Sequence, residues 1–410
     1  MAVFKKHKLP LAGLFQVIPE ELLVSLAEET GVDYYAKALK GKLLFYLLLY
    51  ALLTDEKLGQ RGIADIYSAP HFRLLFNYHT EKEKIAHSSL SERLSKVEAD
   101  YFRQLYEYIY KRFATLYPAR TLFGMHLQRV DSSLVAETSN KLCEGLTCGN
   151  DNKKGKMIKF TINYDGMYGS CANVHKEEKY ASESLALPEN VLSHFKKSDD
   201  HARVYIFDRG QSSAEAFSTM KSHKGLLFVG RLMENRKLNI IRESNCVFKR
   251  FDQGVIKQDA LVQLYKMVTV EGKNGKPFRK QVLDHETFRI IRFRPNGGNE
   301  DIVLITNILT FRAERIALMY RRRWDIEVFF RFLKQEVNFS HFISLNENGI
   351  QVILYMTLIV AMLIMVYKKE NELGFKTAKR RMEIELQELI LAIVVVQSGG
   401  DLKRINLPAP

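Results

Sequence analysis

Three acids far apart in the chain, Asp131, Asp208 and Glu327, stand where they can do chemistry together. Asp131 lies in or just after LQRVDSSLV, which reads as a strand, and Asp208 ends a second short strand, VYIF. Glu327 lies in YRRRWDIEVFFRFLKQ, residues 320–335, which reads as one continuous helix. At about 100° per residue, Tyr320, Arg323, Glu327 and Lys334 project within an arc of about 60°. Ile326, Phe329, Phe330, Leu333 and Val337 fill the neighbouring sector as the apolar stripe that meets a core. Converging carboxylates repel, and their pKa values rise unless a cation joins them. Three hard oxygen donors suit Mg2+ or Mn2+. Two such ions about 3.5–4 Å apart support in-line phosphoryl transfer without a protein nucleophile. Arg322, Arg323 and Lys334 would hold phosphates, while Tyr320 hydrogen-bonds one or stacks near a base. Each residue also has a plainer reading. Arg323 with Glu327 is an ordinary (i, i+4) pair, and Asp131 and Asp208 can each close an Asx turn.

The elements that must position these acids change character along the chain. Residues 1–120 read as a helical N-terminal DNA-binding domain. PEELLVSLAEETG has Pro19 and acids at its start and Gly31 at its end. KGKLLFYLLLYALLT is a buried helix, and SSLSERLSKVEADYFRQLYEYIYKRF is a helix that Ser89 and Glu92 open as a capping box. Arg61, Arg93 and Lys96 on these short helices fit a helix-turn-helix-like reader and a plain bundle equally well. In residues 121–230, KMIKFTINYDGMYGSCANVH alternates at Ile158, Phe160, Ile162 and Tyr164, then turns at Asp165 and Gly166. Strand with Asp, hairpin, helix, strand with Asp and later helix with Glu is the order of a ribonuclease-H-like core. Residues 231–310 form a basic, β-rich insertion with turns at Asn274 and Gly275 and at residues 295–298. Residues 311–370 return to the core with the Glu helix, and residues 371–410 are a helical C-terminal tail. The fold class is therefore α/β.

Composition narrows the partners. The 410 residues carry a formal charge of +14, which favours a polyanion, nucleic acid ahead of membrane. The apolar run at residues 352–367 falls short of the ~20 residues a bilayer requires, so a buried helix is expected and no membrane. Four cysteines make neither a disulfide framework nor a zinc spacing. The N-terminus lacks the apolar core of a secretory signal. A reducing cytoplasm fits.

The spacing Tyr320-x2-Arg323-x3-Glu327-x6-Lys334 resembles the Y-R-E-K signature of bacterial DDE transposases of the insertion-sequence-four group. QRVDSSLV, YIFDRGQSS, ITNIL and YRRRWDIEVFFRFLK look like that family's blocks. The likeness runs from IADIYSAPHFRLLF to the apolar helix after residue 350. It implies an enzyme that cuts DNA at terminal inverted repeats and joins the ends to target DNA. Asp131, Asp208 and Glu327 would be the catalytic metal-binding triad for two Mg2+ or Mn2+ ions. Tyr320, Arg323 and Lys334 would contact the transposon-end backbone, with Arg322 beside them. A DNA-bound homodimer in the cytoplasm, associated with the nucleoid, is implied too. Relatives that pass through a DNA hairpin stack a flipped base on a tryptophan of the insertion. Trp324, on the Glu helix, is the only tryptophan here, which leaves Phe248, Phe251 and Tyr265 as substitutes. A nuclease that hydrolyses without joining and a catalytically inactive DNA-binding regulator are the competing readings, the second opposed by the intact triad.

Overall fold

Period-2 apolar runs between helical ones build a mixed α/β architecture. The structure is a computed structural model that describes residues 9–54, 58–76, 83–137, 141–148, 155–195, 203–244, 248–271 and 277–402. The chain begins with helices α1 (Leu11–Phe15), α2 (Glu20–Thr30), α3 (Gly41–Thr54), α4 (Gln60–Ser68), α5 (Pro70–Leu75), α6 (His87–Lys96) and α7 (Ala99–Leu116). Strand β1 (His126–Ala136) carries Asp131. Then come β2 (Leu146–Cys148), β3 (Gly155–Tyr164), β4 (Gly169–His175), α8 (Glu183–His194), β5 (Arg203–Phe207), α9 (Ala214–Ser222) and β6 (Leu227–Leu232). The basic region supplies β7 (Leu238–Glu243), β8 (Lys249–Phe251), β9 (Gly254–Glu271), β10 (Pro277–Pro295) and β11 (Ile302–Thr306). Helices α10 (Ala313–Arg321), α11 (Trp324–Glu336), α12 (Glu347–Glu370) and α13 (Phe375–Gln397) close the chain.

Among the described residues the strands join one large sheet in the order β2-β3-β1-β5-β6-β11-β10-β9-β7, with β4 on β3 and β8 on β9. Strands β1, β5 and β6 run parallel and β3 antiparallel to β1. The segment β4-β3-β1-β5-β6 thus has the order expected of a ribonuclease-H-like core. Its central strands are buried on both faces, as parallel strands generally are. Val204 and Ile206 face α10 with Leu127, Val229 and Leu304. Tyr205 and Phe207 face the other way, packing with Val130, Val191 and Phe217. Gly230 on β6 is required by that packing, because a Cβ there would fall 2.4 Å from the Phe207 ring.

Several expectations need correction. The helix read across residues 320–335 is two helices, α10 and α11, separated at Arg322 and Arg323. Short turns from Arg322 N–H to Met319 and from Arg323 N–H to Tyr320 make the break. The Ser89 and Glu92 capping box does not form: α6 starts at His87 behind Ala86, and a second break at residues 97–98 precedes α7. Arg93 turns inward rather than outward, its guanidinium donating to the Leu39 and Val32 carbonyls. The basic insertion joins the core sheet directly, because β11 pairs with β6 and carries β10 and β9 into it. The Asn274 and Gly275 turn and Cys246 lie outside the described residues.

Helix α12 is longer than its apolar run because Asn346 caps it, accepting the Gly349 N–H, and because Lys368 and Lys369 extend its last turn. It is long and apolar enough to cross a membrane, yet most of its apolar window is buried within the protein against α7, α3, α6 and α13. Strands β9 and β10 pair along nearly their whole length, and a bulge lies between Leu283 and Thr287. The paired ribbon beyond β7, from Tyr265 outward, is largely exposed.

Candidate active site

Leu127, Arg129 and Asp131 leave the same face of β1 by the two-residue period, and Leu127 packs in the cluster that holds α10. Asp131 therefore points toward the α10–α11 side of the sheet. Its Oδ1 accepts the Ser132 N–H at 2.8 Å within the strand, so no Asx turn forms around it. Burial, then the neighbouring charges of Glu183 and Asp208, push its pKa up to about 6, against the lowering effects of the Ser132 N–H and Arg323.

Asp208 follows directly on β5, the strand parallel to β1. Its Oδ1 accepts the Tyr320 hydroxyl at 2.9 Å, and its Oδ2 stands 3.7 Å from Arg323 Nη1. Burial alone would raise its pKa. Arg323, the Arg209 backbone N–H, the Tyr320 hydroxyl and Arg231 outweigh that and hold it below the ordinary carboxylate range.

Glu327 sits in the first turn of α11. The i+4 geometry expected of the helix places its Oε1 2.5 Å from Arg323 Nη2. One guanidinium, 13% exposed, thus touches both Asp208 and Glu327 and acts electrostatically on Asp131. Arg323 is the cation of the site, rather than a side chain held out to solvent. Tyr320 is likewise internal, 5% exposed and turned onto Asp208. Arg322 and Lys334 are exposed, and Trp324 is half in solvent. Lys334 lies seven residues beyond Glu327, two helical turns along one face, about 10 Å away.

Among the described residues no three acids, histidines or cysteines stand together as a preformed metal cage. The donor set nevertheless suits a hard divalent ion. It consists of carboxylates only, and Asp131, drawn toward protonation by burial and two neighbouring acids, has no cation in direct contact among the described residues.

Residues the sequence reading missed complete the surroundings. Glu183, the first residue of α8, accepts from Ser132 Oγ at 2.9 Å and from the buried Lys159 Nζ at 2.9 Å. Its side chain presses on Gly210, just past Asp208, where a Cβ would come within 2.9 Å of it. No spacing signals it, because α8 is far from all three acids in sequence. Of the three aromatic substitutes for a tryptophan, Phe251 packs against the α10-side core and Tyr265 lies under Lys237. Phe248 is 70% exposed with a left-handed backbone, φ +62°.

One acid thus lies on the first core strand, one at the end of the neighbouring parallel strand and one on a later helix, the last two bridged by Arg323. The family model described as the transposase DDE domain matches residues 130–363. The chain belongs to that family. A probable transposase for insertion sequence element IS5377 of Geobacillus stearothermophilus is 23% identical over 349 residues, covering 83% of this chain and 80% of the relative. Among solved structures, the piggyBac transposase in a synaptic complex with hairpin DNA aligns over 95% of this chain and 82% of its own. That alignment has 10% identity and a TM-score of 0.46.

Proposed function

We propose that this transposase cuts DNA at the terminal inverted repeats of its element and joins the freed ends to target DNA. The reading assigns Asp131, Asp208 and Glu327 as the acids that hold two Mg2+ or Mn2+ ions, and Tyr320, Arg322, Arg323 and Lys334 as contacts to the DNA. The observation that carries it is Arg323, whose single guanidinium reaches two of the acids while acting on the third. Side chains gathered around one cation are side chains that can share another.

Asp131, Asp208 and Glu327 would hold the two ions, whose chemistry when bound would be to activate a water or 3′-hydroxyl and neutralise the leaving oxygen. The chain's own residues do the rest. Tyr320 fixes the Asp208 carboxylate by donating its hydroxyl to Oδ1, while Oδ2 faces Arg323. Arg323 keeps the acids together before DNA arrives, and a backbone phosphate offers its planar fork an alternative partner. Arg322 and Lys334, exposed on either side, contact phosphates flanking the scissile position. The basic strands of residues 231–310 extend that positive surface along the duplex. A homodimer on DNA, each subunit holding one end, completes the proposed assembly.

The test is a joining assay with pre-cleaved end DNA, a target plasmid and Mg2+. Wild-type protein should yield joined products. Asp131→Asn, Asp208→Asn and Glu327→Gln should each lose cleavage and joining while retaining end binding in a gel-shift assay. Cutting retained by any one variant removes that residue from the site. Hydrolysis without joining by the wild type would make the protein a nuclease.

A further inference from the structure

Arg129 lies on β1 two residues before Asp131 and is 5% exposed. All three of its side-chain nitrogens are engaged. Nε donates to the Arg322 carbonyl at 3.1 Å. Nη1 donates to the carbonyls of Leu127 and Asp165, each at 2.9 Å. Nη2 donates to Asp325 Oδ2, also at 2.9 Å. The chain closes tightly around this group: at Gly166, φ +101°, a Cβ would lie 2.8 Å from Nη1.

These partners come from four separate pieces of chain: β1, the β3–β4 turn, the break between α10 and α11, and α11 itself. Arg322 is the residue at which α10 breaks, immediately before Arg323. Asp325 is in the first turn of α11, two residues before Glu327. One planar fork therefore ties the strand that carries Asp131 to the break that orients Tyr320, Arg323 and Glu327. An ammonium group cannot reproduce this, because it lacks the fixed geometry that reaches a carbonyl and a carboxylate at once.

We propose that Arg129, with Asp325, is a positioning residue for the phosphoryl-transfer reaction, setting where Glu327 and Arg323 stand relative to Asp131. The proposal rests on reading the three acids as a divalent-metal site. Groups that orient ligands from behind typically affect metal affinity or activity by about 10–100-fold, and a displacement of ~1 Å at a reacting centre costs ~100-fold.

The experiment uses the full chain with Arg129→Lys and Asp325→Asn. Asp325 is 38% exposed in its side chain, so Asp325→Asn is the variant certain to report if Arg129→Lys does not fold. Each protein is checked by circular dichroism and for end-DNA affinity. Mn2+ binding is then measured by electron paramagnetic resonance, and cleavage in single turnover on preformed complexes. The expected result is native folding and unchanged end affinity, with Mn2+ affinity weakened about tenfold and cleavage slowed about 10–100-fold. The double variant should be no worse than the worse single one, because both act through one contact. Wild-type protein that binds Mn2+ beside a folded Asp325→Asn protein with the same affinity and cleavage rate would overturn this proposal alone. Wild-type protein that binds no Mn2+ would overturn the metal-site reading and this proposal with it.

Discussion

Replacing Arg323 by Gln tests how the acids are held before any divalent ion binds. The guanidinium lies 2.5 Å from Glu327 and 3.7 Å from Asp208. Opposite charges ~4 Å apart interact by about 4 kcal/mol at an effective dielectric of ~20. Asp208 and Glu327 are 34% and 31% exposed, so solvent screening reduces the combined net contribution to about 1–2 kcal/mol. Arg323→Gln should therefore be about 1–2 kcal/mol less stable than wild type in EDTA. The same substitution removes an internal competitor for divalent ions. A ligand at 100 times its Kd stabilises by about 2.7 kcal/mol, so Mg2+ should recover more stability in the variant than it adds to wild type. Urea denaturation with and without Mg2+ measures both quantities. Equal stability in EDTA together with an equal Mg2+ response would show that Arg323 is not the counter-ion of these acids.

Two other outcomes follow from the same site. Burial raises the Asp131 pKa to about 6 from an ordinary 3.8, so the folded chain binds this proton more tightly than the unfolded one. That contribution is fully present below about pH 4 and is lost as pH rises through about 6, up to roughly 3 kcal/mol. Asp208, held low, has the opposite sign and stabilises above its ordinary range. Metal-free protein should lose stability between about pH 4 and 6 in urea titrations, a slope that Asp131→Asn abolishes; a slope unchanged in that variant would assign it elsewhere. Lys334→Ala should weaken binding to all DNA sequences alike and make the log K against log salt slope shallower by about 0.9. An unaltered slope would mean that Lys334 touches no phosphate.

The positions of the acids were legible because each sits in a pattern with a clear period. Asp131 interrupts an alternating run, Asp208 ends one, and Glu327 lies beside the stripe of Ile326, Phe329, Phe330 and Leu333, which are all buried. The break at Arg322 and Arg323 was not legible. Arginine is a good helix former, and the break is fixed by Arg129, 193 residues away in sequence from the carbonyl it holds. Arg323 read as a phosphate contact or a partner of Glu327, and its link to Asp208 was not legible because Asp208 belongs to a distant strand. Ser89 and Glu92 had the right spacing for a cap, but the helix starts earlier and the local signal lost to packing. The joining of the basic strands to the core depends on β11 lying between β6 and β10. Nothing local in ITNIL announces that pairing.

The β9–β10 ribbon has a consequence for how the molecule comes apart. At its base it is flanked by β11 and β7 and shares the apolar clusters of the sheet. Past Tyr265 and Leu283, among the described residues, the two strands pair with each other and with no other strand, and most of their side chains are solvent-facing. Isolated pairs of strands are marginal in water. The described outer strand ends, up to Glu271 and from Pro277, should therefore exchange their backbone hydrogens sooner than the sheet at the ribbon's root. A duplex laid against it would brace strands that have few neighbours of their own beyond the root of the ribbon.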